Sequence, residues 1–351
     1  MVLMTDTIKK IRWSTMLYGC AALLVLVVAM SLIVTYFVPR TSHLVQSFVN
    51  RVPYPAVVVG YRGMFSFHEL SQNVQSVKRF YENQDFSKVG LRVDFTTEDG
   101  QKRLKVREKE ILNKMIEDEA IVVLAKKRDI FVSPETARQG VARKLEEYGD
   151  SKTVEGNLDR LYGWKMADFE EKVVLPSLYQ EKLNEAFLKE VDPVTKAKKR
   201  IEEAAEALRN GEAFESVVKQ YSEGQTADKG GDLGWFSIED LAPELRNPVV
   251  AQKVGAPGSV IESSLGFHIV LVQEVKKEKS AQLYRIKQIF ARKNTFADWL
   301  SDQMKTLSIK VLDLDYQWNN TSARAEFRKA EWRQYEEELL KKTGGDAAFS
   351  F

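Results

Sequence analysis

Histidine, cysteine and the glycine-rich turns are where this sequence could hold chemistry, and each narrows the choice. The three histidines, His43, His68 and His268, lie far apart along the chain, so a His-rich metal site is not expected. A single cysteine, Cys20, excludes an intramolecular disulfide and a thiolate cluster for zinc. The stretch from Ser222 to Phe236, SEGQTADKGGDLGWF, is punctuated by glycine. A phosphate cradle would need a strand before such a loop, a helix after it and a Lys-Ser/Thr ending. Here a helix precedes, a strand follows and that lysine is missing, so no phosphate cofactor is expected, nor any other cofactor. What remains is His268 inside the apolar run Phe267-His-Ile-Val-Leu-Val272, followed by the alternating segment Leu283-Tyr-Arg-Ile-Lys-Gln-Ile-Phe-Ala291, which carries Gln288.

These residues need elements to position them, and the composition allows for such elements. A chain of 351 residues with 44% apolar and 29% charged residues can build two modest domains with real cores. Lys and Arg number 52 against 50 Asp and Glu, and the net charge of +2 predicts no nucleic-acid partner. From Ser14 to Val38 there is no charged residue, and about 20 apolar residues suffice to cross a bilayer core. Residues 14–38 therefore read as a transmembrane helix, with the lipid bilayer as partner. Trp13 and Tyr18 lie at one end and Tyr36 and Phe37 at the other, as interfacial aromatics should. A cleaved signal peptide would have a shorter apolar core and an Ala-x-Ala-like exit, and neither is found. Lys9, Lys10 and Arg12 precede the run and Arg40 alone follows closely. That bias predicts a cytoplasmic N-terminus, residues 1–13, with everything after the span outside.

Residues 39–52 read as a stalk. Residues 53–191 read as a mainly helical module, after a strand and turn at Val57–Tyr61. Ile111, Leu112, Met115, Ile116 and Val123 recur at helical spacing. Ser133-Pro134-Glu135 starts a helix that Gly149 stops, and a further helix runs from Ala167 through Phe187, bent at Pro176. The apolar faces of these helices either pack on one another or stay exposed as a cradle for unfolded chains. Asp192-Pro193 opens a domain placed at 192–315, whose first helix carries Ala197, Ile201, Ala204, Ala205 and Leu208 and ends at Asn210-Gly211. Ser237 and Asp240 read as a capping box for a following helix. Phe296-Ala-Asp-Trp-Leu300 then reads as a helix, and Ile309–Asp315 as a strand. Residues 316–351 read as a tail, with a solvated helix over 323–342 and a frayed end from Gly344.

Leu208-x-x-Gly211, Phe214, Tyr221-Ser222, Gly230-Gly-Asp-Leu-Gly-Trp-Phe236, Leu241-x-Pro243, Gly255 and Gly266-Phe-His-Ile-Val270 follow one another in an order and spacing that resemble the parvulin (PpiC, rotamase) family of peptidyl-prolyl isomerases. Residues 53–190 more loosely resemble the helical chaperone module of SurA-like foldases. The resemblance implies an α+β chain: a transmembrane helix, a mainly helical chaperone-like domain, and a parvulin-like antiparallel sheet with helices. It also implies an isomerase or foldase acting on unfolded or proline-containing exported polypeptides. Members of the family begin with a central strand carrying a histidine, and none precedes Pro193. Leu283–Ala291 is similar to that strand, with Gln288 in the histidine's place, so the resemblance implies a permuted sheet with its first strand supplied by 283–291.

By the same resemblance Leu233, Leu241, Leu245 and Phe267 build the proline pocket, while His268 and Gln288 are the catalytic floor. The departures are Gly224 where the family carries Cys or Asp, Leu245 for the pocket aromatic, and Leu265 for a small polar residue. They imply reduced activity. His268 can equally be a satisfied core histidine, and Trp235 and Phe236 read as core. Three functions stay open: a membrane-anchored isomerase, a holdase with a weak or inactive parvulin domain, and a scaffold for partner contact.

Overall fold

The charge-free segment forms one helix, α1 (Trp13–Phe37), in a computed structural model that describes residues 13–38, 43–84, 94–149, 151–278 and 281–342. Residues 1–12, which carry the cationic flank Lys9, Lys10 and Arg12, lie outside the described residues, as do Arg40 and the tail from Gly344. The chain divides into two units, Met1–Leu183 with Asp302–Phe351, and Asn184–Ser301. Among the described residues, Leu17–Phe37, with a mean hydropathy of 2.6, is the one helix long and apolar enough to cross a membrane.

In the first unit, the part of the expected stalk that is described is folded. It forms the helix α2 (His43–Val49), with Val49 fully buried. Strands β1 (Pro55–Val59) and β2 (Gly63–Ser66) form a hairpin, and α3 (Phe67–Asn83) follows with a capping box between Ser66 and Glu69. Then come α4 (Glu98–Lys126), α5 (Pro134–Tyr148) and α6 (Ser151–Tyr162). Helix α5 starts at Ser133, whose hydroxyl accepts from Thr136 N, and ends at Gly149. The helix expected from Ala167 is interrupted: α7 (Met166–Phe169) passes through a π-helical turn, Glu170–Val174, into α8 (Leu175–Glu190). Pro176 has no N–H to give to the preceding turn, and the widened turn directly before α8 accommodates that loss.

The second unit, Asn184–Ser301, takes over within α8. Asp192 caps α9 (Thr195–Arg209) by accepting from Val194 N and Thr195 N, both at 2.9 Å. There follow α10 (Phe214–Tyr221), β3 (Asp232–Ser237), α11 (Pro243–Ala251), β4 (Pro257–Glu262), β5 (Gly266–Glu278), β6 (Ala281–Arg292) and α12 (Phe296–Thr306). Ser237 and Asp240 close a turn rather than a helix start, because α11 begins only at Pro243, which occupies its first turn. The sheet is antiparallel, in the order β3-β6-β5-β4. The segment around Gln288 is thus an inner strand although it comes last in sequence. Residues on β5 and β6 alternate between two cores. Phe267, Ile269, Leu271, Ile289 and Ala291 pack on α9 and α10, and Val270, Val272, Tyr284 and Ile286 pack on α11. Phe236 joins the second of these, whereas half-buried Trp235 lies under the Lys276 ammonium, 4.5 Å from the ring centre.

Residues from Asp302 onward return to the first unit. Strand β7 (Ile309–Val311) adds to the hairpin in the order β2-β1-β7, and β8 (Tyr316–Asn319) and β9 (Arg324–Phe327) form a second hairpin before α13 (Ala330–Lys342). The helix expected over 323–342 therefore starts late. Ala325 and Phe327 are buried while Arg324 is exposed and Glu326 half-buried, which is the period-2 pattern of a strand. Asn113 of α4 anchors this hairpin: its amide donates to Ala325 O (3.0 Å) and accepts from Ala325 N (2.6 Å). Beside it, Lys105 lies 2.7 Å from Asp315 and 3.1 Å from Glu108, which also accepts from the buried Tyr316 hydroxyl. Burial would lower the Lys105 pKa, but Glu108, Asp315 and Asp313 outweigh it and the ammonium is held above its ordinary range.

Replacing Asn113 by Leu leaves both backbone groups of Ala325 buried without partners, at ~1–3 kcal/mol each. The Asn113→Leu variant is expected to lose on the order of 2–4 kcal/mol in urea unfolding of the first unit, with protease cleavage appearing first between 313 and 330. An unchanged midpoint would show that the hairpin is not integral to that unit.

Candidate functional site

The second unit assembles its polar residues on the face of the sheet that carries α11. Strand alternation puts His268 of β5 there with Val270 and Val272, and Gln288 of β6 there with Tyr284 and Ile286. In the β5–β6 register Val270 faces Gln288 and His268 faces Phe290, so His268 and Gln288 are diagonal neighbours. Their side chains meet: Gln288 Nε2 donates to His268 Nδ1 at 3.0 Å. On the other side, Ser263 Oγ lies 2.7 Å from His268 Nε2, and the Phe290 ring packs 4.8 Å from the imidazole, centre to centre.

Ser263 sits in the β4–β5 turn. Its hydroxyl lies within hydrogen-bond distance of Gly266 O (3.2 Å), Leu265 N (3.2 Å) and Gly266 N (3.3 Å) as well as of His268 Nε2. The Gln288 amide nitrogen can only donate, so Nδ1 accepts and a neutral imidazole carries its proton on Nε2. Lys293, just past β6, pins this turn through Ser263 O (2.8 Å) and Glu262 (2.7 Å). Gly266 is required where the turn enters β5, since a Cβ there would stand 2.2 Å from Ala291 O. Gly231 of the glycine loop is required for the same reason, with φ +77° and a Cβ position 2.5 Å from Gln288 O. The loop's glycines thus let its backbone lie against β6, where Gln288 N donates to Gly231 O at 3.0 Å.

Beside this network is a cavity of about 280 Å³, lined by Leu233, Gln288, Phe290, Gly224, Thr226 and Arg292 among others. The structure brings His268, Gln288 and Leu233 to one place. Leu241 and Leu245 are on the same face of the sheet but are only 5% and 6% exposed, packed in the core beneath α11. Neither lines the cavity. Phe267 is on the opposite face, in the core made with α9 and α10. As the immediate neighbour of His268 in an extended strand, its side chain must point the other way, so it leaves the pocket assignment. Sequence reasoning passed over Ser263, Phe290 and Lys293. Two signals were available: Ser263 is a small hydroxyl residue in the turn preceding Gly266, and Phe290 is two residues from Gln288 and so on the same face.

Residues 182–274 match the family described as Rotamase, the PPIC-type PPIASE domain. The second unit thus carries a parvulin-type rotamase domain, and β6 with Gln288 lies beyond the matched segment. Chaperone SurA of Nitrosospira multiformis is 39% identical over 111 residues, 30% of this chain and 25% of that protein. Chaperone SurA of Methylobacillus flagellatus is 34% identical over 121 residues, 33% of this chain and 28% of that protein. Foldase protein PrsA 1 of Bacillus cereus is 27% identical over 157 residues, 42% of this chain and 55% of that protein. The chain therefore spans between a quarter and a little over half the length of these relatives.

Burial, the largest cause, holds His268 below the ordinary imidazole range; Glu244 opposes this and Lys293 adds to it. Protonation would also need the Gln288 amide to turn its oxygen toward Nδ1. A depressed folded pKa means that stability is full above the unfolded value of about 6.5 and is lost as pH falls through the lower folded value. Urea unfolding of the wild type is therefore expected to weaken from about pH 6.5 downward. His268→Gln, which cannot titrate, should flatten that decline whatever its stability at pH 8. Parallel pH profiles for the two proteins would remove His268 from this role.

Proposed function

We propose that this chain is a membrane-anchored peptidyl-prolyl cis-trans isomerase that assists exported proteins at the outer face of the membrane. The observation that carries the reading is the hydrogen-bonded row Ser263–His268–Gln288 beside a cavity walled in part by Leu233 and Phe290, in a unit that matches the rotamase family. Rotation about an X-Pro bond must cross a barrier of ~18–20 kcal/mol that amide resonance creates. No covalent bond is made or broken and no proton need move, so the reaction asks for neither a nucleophile nor a general acid. Leu233 and Phe290 grip the proline ring, and any preference of this wall for the twisted amide over both planar states lowers the barrier. His268 and Gln288 hold the floor in a single arrangement, Gln288 exposing the rest of its amide to the substrate's backbone.

A second reading, the holdase, is favoured by a separate observation in the first unit. Met64, Val77, Ile111, Met115, Trp164 and Tyr179 are among the residues lining an open groove of about 720 Å³. Not all the apolar surface of the helical module is spent on internal packing, and an extended unfolded segment can lie there.

The two readings separate in paired assays on the full chain: protease-free isomerisation of peptides varied before proline, and suppression of aggregation. Leu233→Asp puts a charge against the proline ring, and a loss of more than about tenfold in isomerisation, equivalent to about 1.4 kcal/mol, is expected with aggregation suppression intact. Met115→Asp is expected to do the reverse. If wild type accelerates no peptide, the isomerase reading fails and the holdase remains. For orientation, protease added to spheroplasts should remove a C-terminal tag, and a fully protected tag would overturn the outer-face assignment.

A further inference from the structure

The last turns of α1 do not stand clear of the first unit. Thr35 is 1% exposed, the hydroxyls of Ser31 and Tyr54 are 2.6 Å apart, and the Tyr36 hydroxyl donates to Pro55 O at 3.0 Å. The Tyr36 ring also packs against Tyr54 and Phe67. Ser31 precedes Phe37 by about 9 Å along a helix rising ~1.5 Å per residue. A bilayer core takes ~20 residues, and the charge-free run counted from Ser14 reaches that length at Ile33. Tyr54 therefore meets α1 at the edge of the hydrocarbon, which brings the start of β1 to headgroup depth.

Helix α2 lies at this junction and packs on α1. Its faces differ in kind. Val49 is buried, Gln46 and Asn50 face a cavity of about 660 Å³ that Lys78 and Lys105 also line, and Leu44 and Phe48 remain outside. Four residues apart, Leu44 and Phe48 share one face, with exposures of 83% and 37%, and Phe37 at the end of α1 is 77% exposed.

We propose that α2 is a second membrane contact, lying in the plane of the bilayer with Leu44 and Phe48 in the acyl boundary of the leaflet at the C-terminal end of α1. The occupant of this face is lipid rather than protein because α2 packs on α1, the span itself, whose end carries the exposed Phe37. The polar face of α2 meanwhile stays on the side of the lysine-lined cavity. The first unit is then seated against the bilayer through a folded joint, and the region read as a free stalk becomes an attachment. The inference rests on α1 being a membrane span.

The test uses the full chain with Cys20→Ser and one new cysteine at Leu44, Phe48, Gln46, Tyr61 or Leu24, each carrying an environment-sensitive nitrobenzoxadiazole label. The protein is reconstituted in vesicles of phosphatidylethanolamine and phosphatidylglycerol, some containing spin-labelled lipids. Labels at 44 and 48 are expected to shift to the blue and to be quenched by shallow acyl spin labels at a depth of roughly 5–10 Å. Labels at 46 and 61 should stay water-like and open to iodide. The label at 24 reports the span: if deep spin labels do not quench it, the reading of α1 fails, and the proposal with it. If 24 is quenched while 44 and 48 stay open to iodide, the span stands and the seating is overturned. Blue-shifted labels at 44 and 48 with energy transfer between copies and no lipid quenching would assign the face to a second copy and overturn it too.

Discussion

Pairing of β5 with β6 is the interaction on which the second unit depends. The two strands run antiparallel along nearly their whole length, from Gly266 opposite Arg292 to Glu278 opposite Ala281. Because side chains alternate, this register sends Gln288 to the same face as His268; a slip of one residue would bury it against α9 instead and break the floor. The register is guarded where backbones come closest. Gly266 lies against Ala291, and Gly231 of the loop lies against Gln288, each too close for a side chain. The glycines that stand out in the sequence thus hold a central strand in place.

The site that results is chemically quiet, and its quietness fits the reaction proposed for it. His268 is held neutral by burial and by partners that suit one tautomer, and Ser263 is engaged with three backbone groups of its own turn as well as with the imidazole. Such groups position and orient; they do not attack. Gln288 adds to this floor an amide that both donates and accepts and does not itself titrate. The polar row links β5, β6 and the turn before β5, and Leu233 and Phe290 line the cavity beside it.

The first unit serves a different purpose. Its parts are gathered from both ends of the chain: β7 completes the sheet begun by β1, and Asn113 on α4 binds Ala325 across more than two hundred residues of sequence. The same unit carries the open groove lined by Met64, Val77, Ile111 and Met115, some of whose walls, such as Phe65 and Trp164, also belong to its core. Its attachment to α1 through Ser31, Thr35 and Tyr36 also makes the helix part of the unit rather than a loose tether.

Much of this was legible in the residues. The absence of charge over 14–38, the cap at Ser133, the Asp192 start of α9, and the alternation in 267–272 and 283–291 are local signals, and each folds as local physics requires. The alternation even contained the answer for Phe267: a neighbour of His268 in a strand must face away from it. What local patterns cannot say is which of two apolar layers covers each face, so Phe267, Leu241 and Leu245 could be sorted only when α9, α10 and α11 were in place. The short strands Tyr316–Asn319 and Arg324–Phe327 carry too few residues for their period to compete with the helical spacing around them, and their pairing partners decided them. Ser263 acquires its place only through the turn that folds it back onto His268. Sequence by itself determined which residues leave water and in what local form; the tertiary structure decided against what they are buried, because that depends on contacts between segments far apart in the chain.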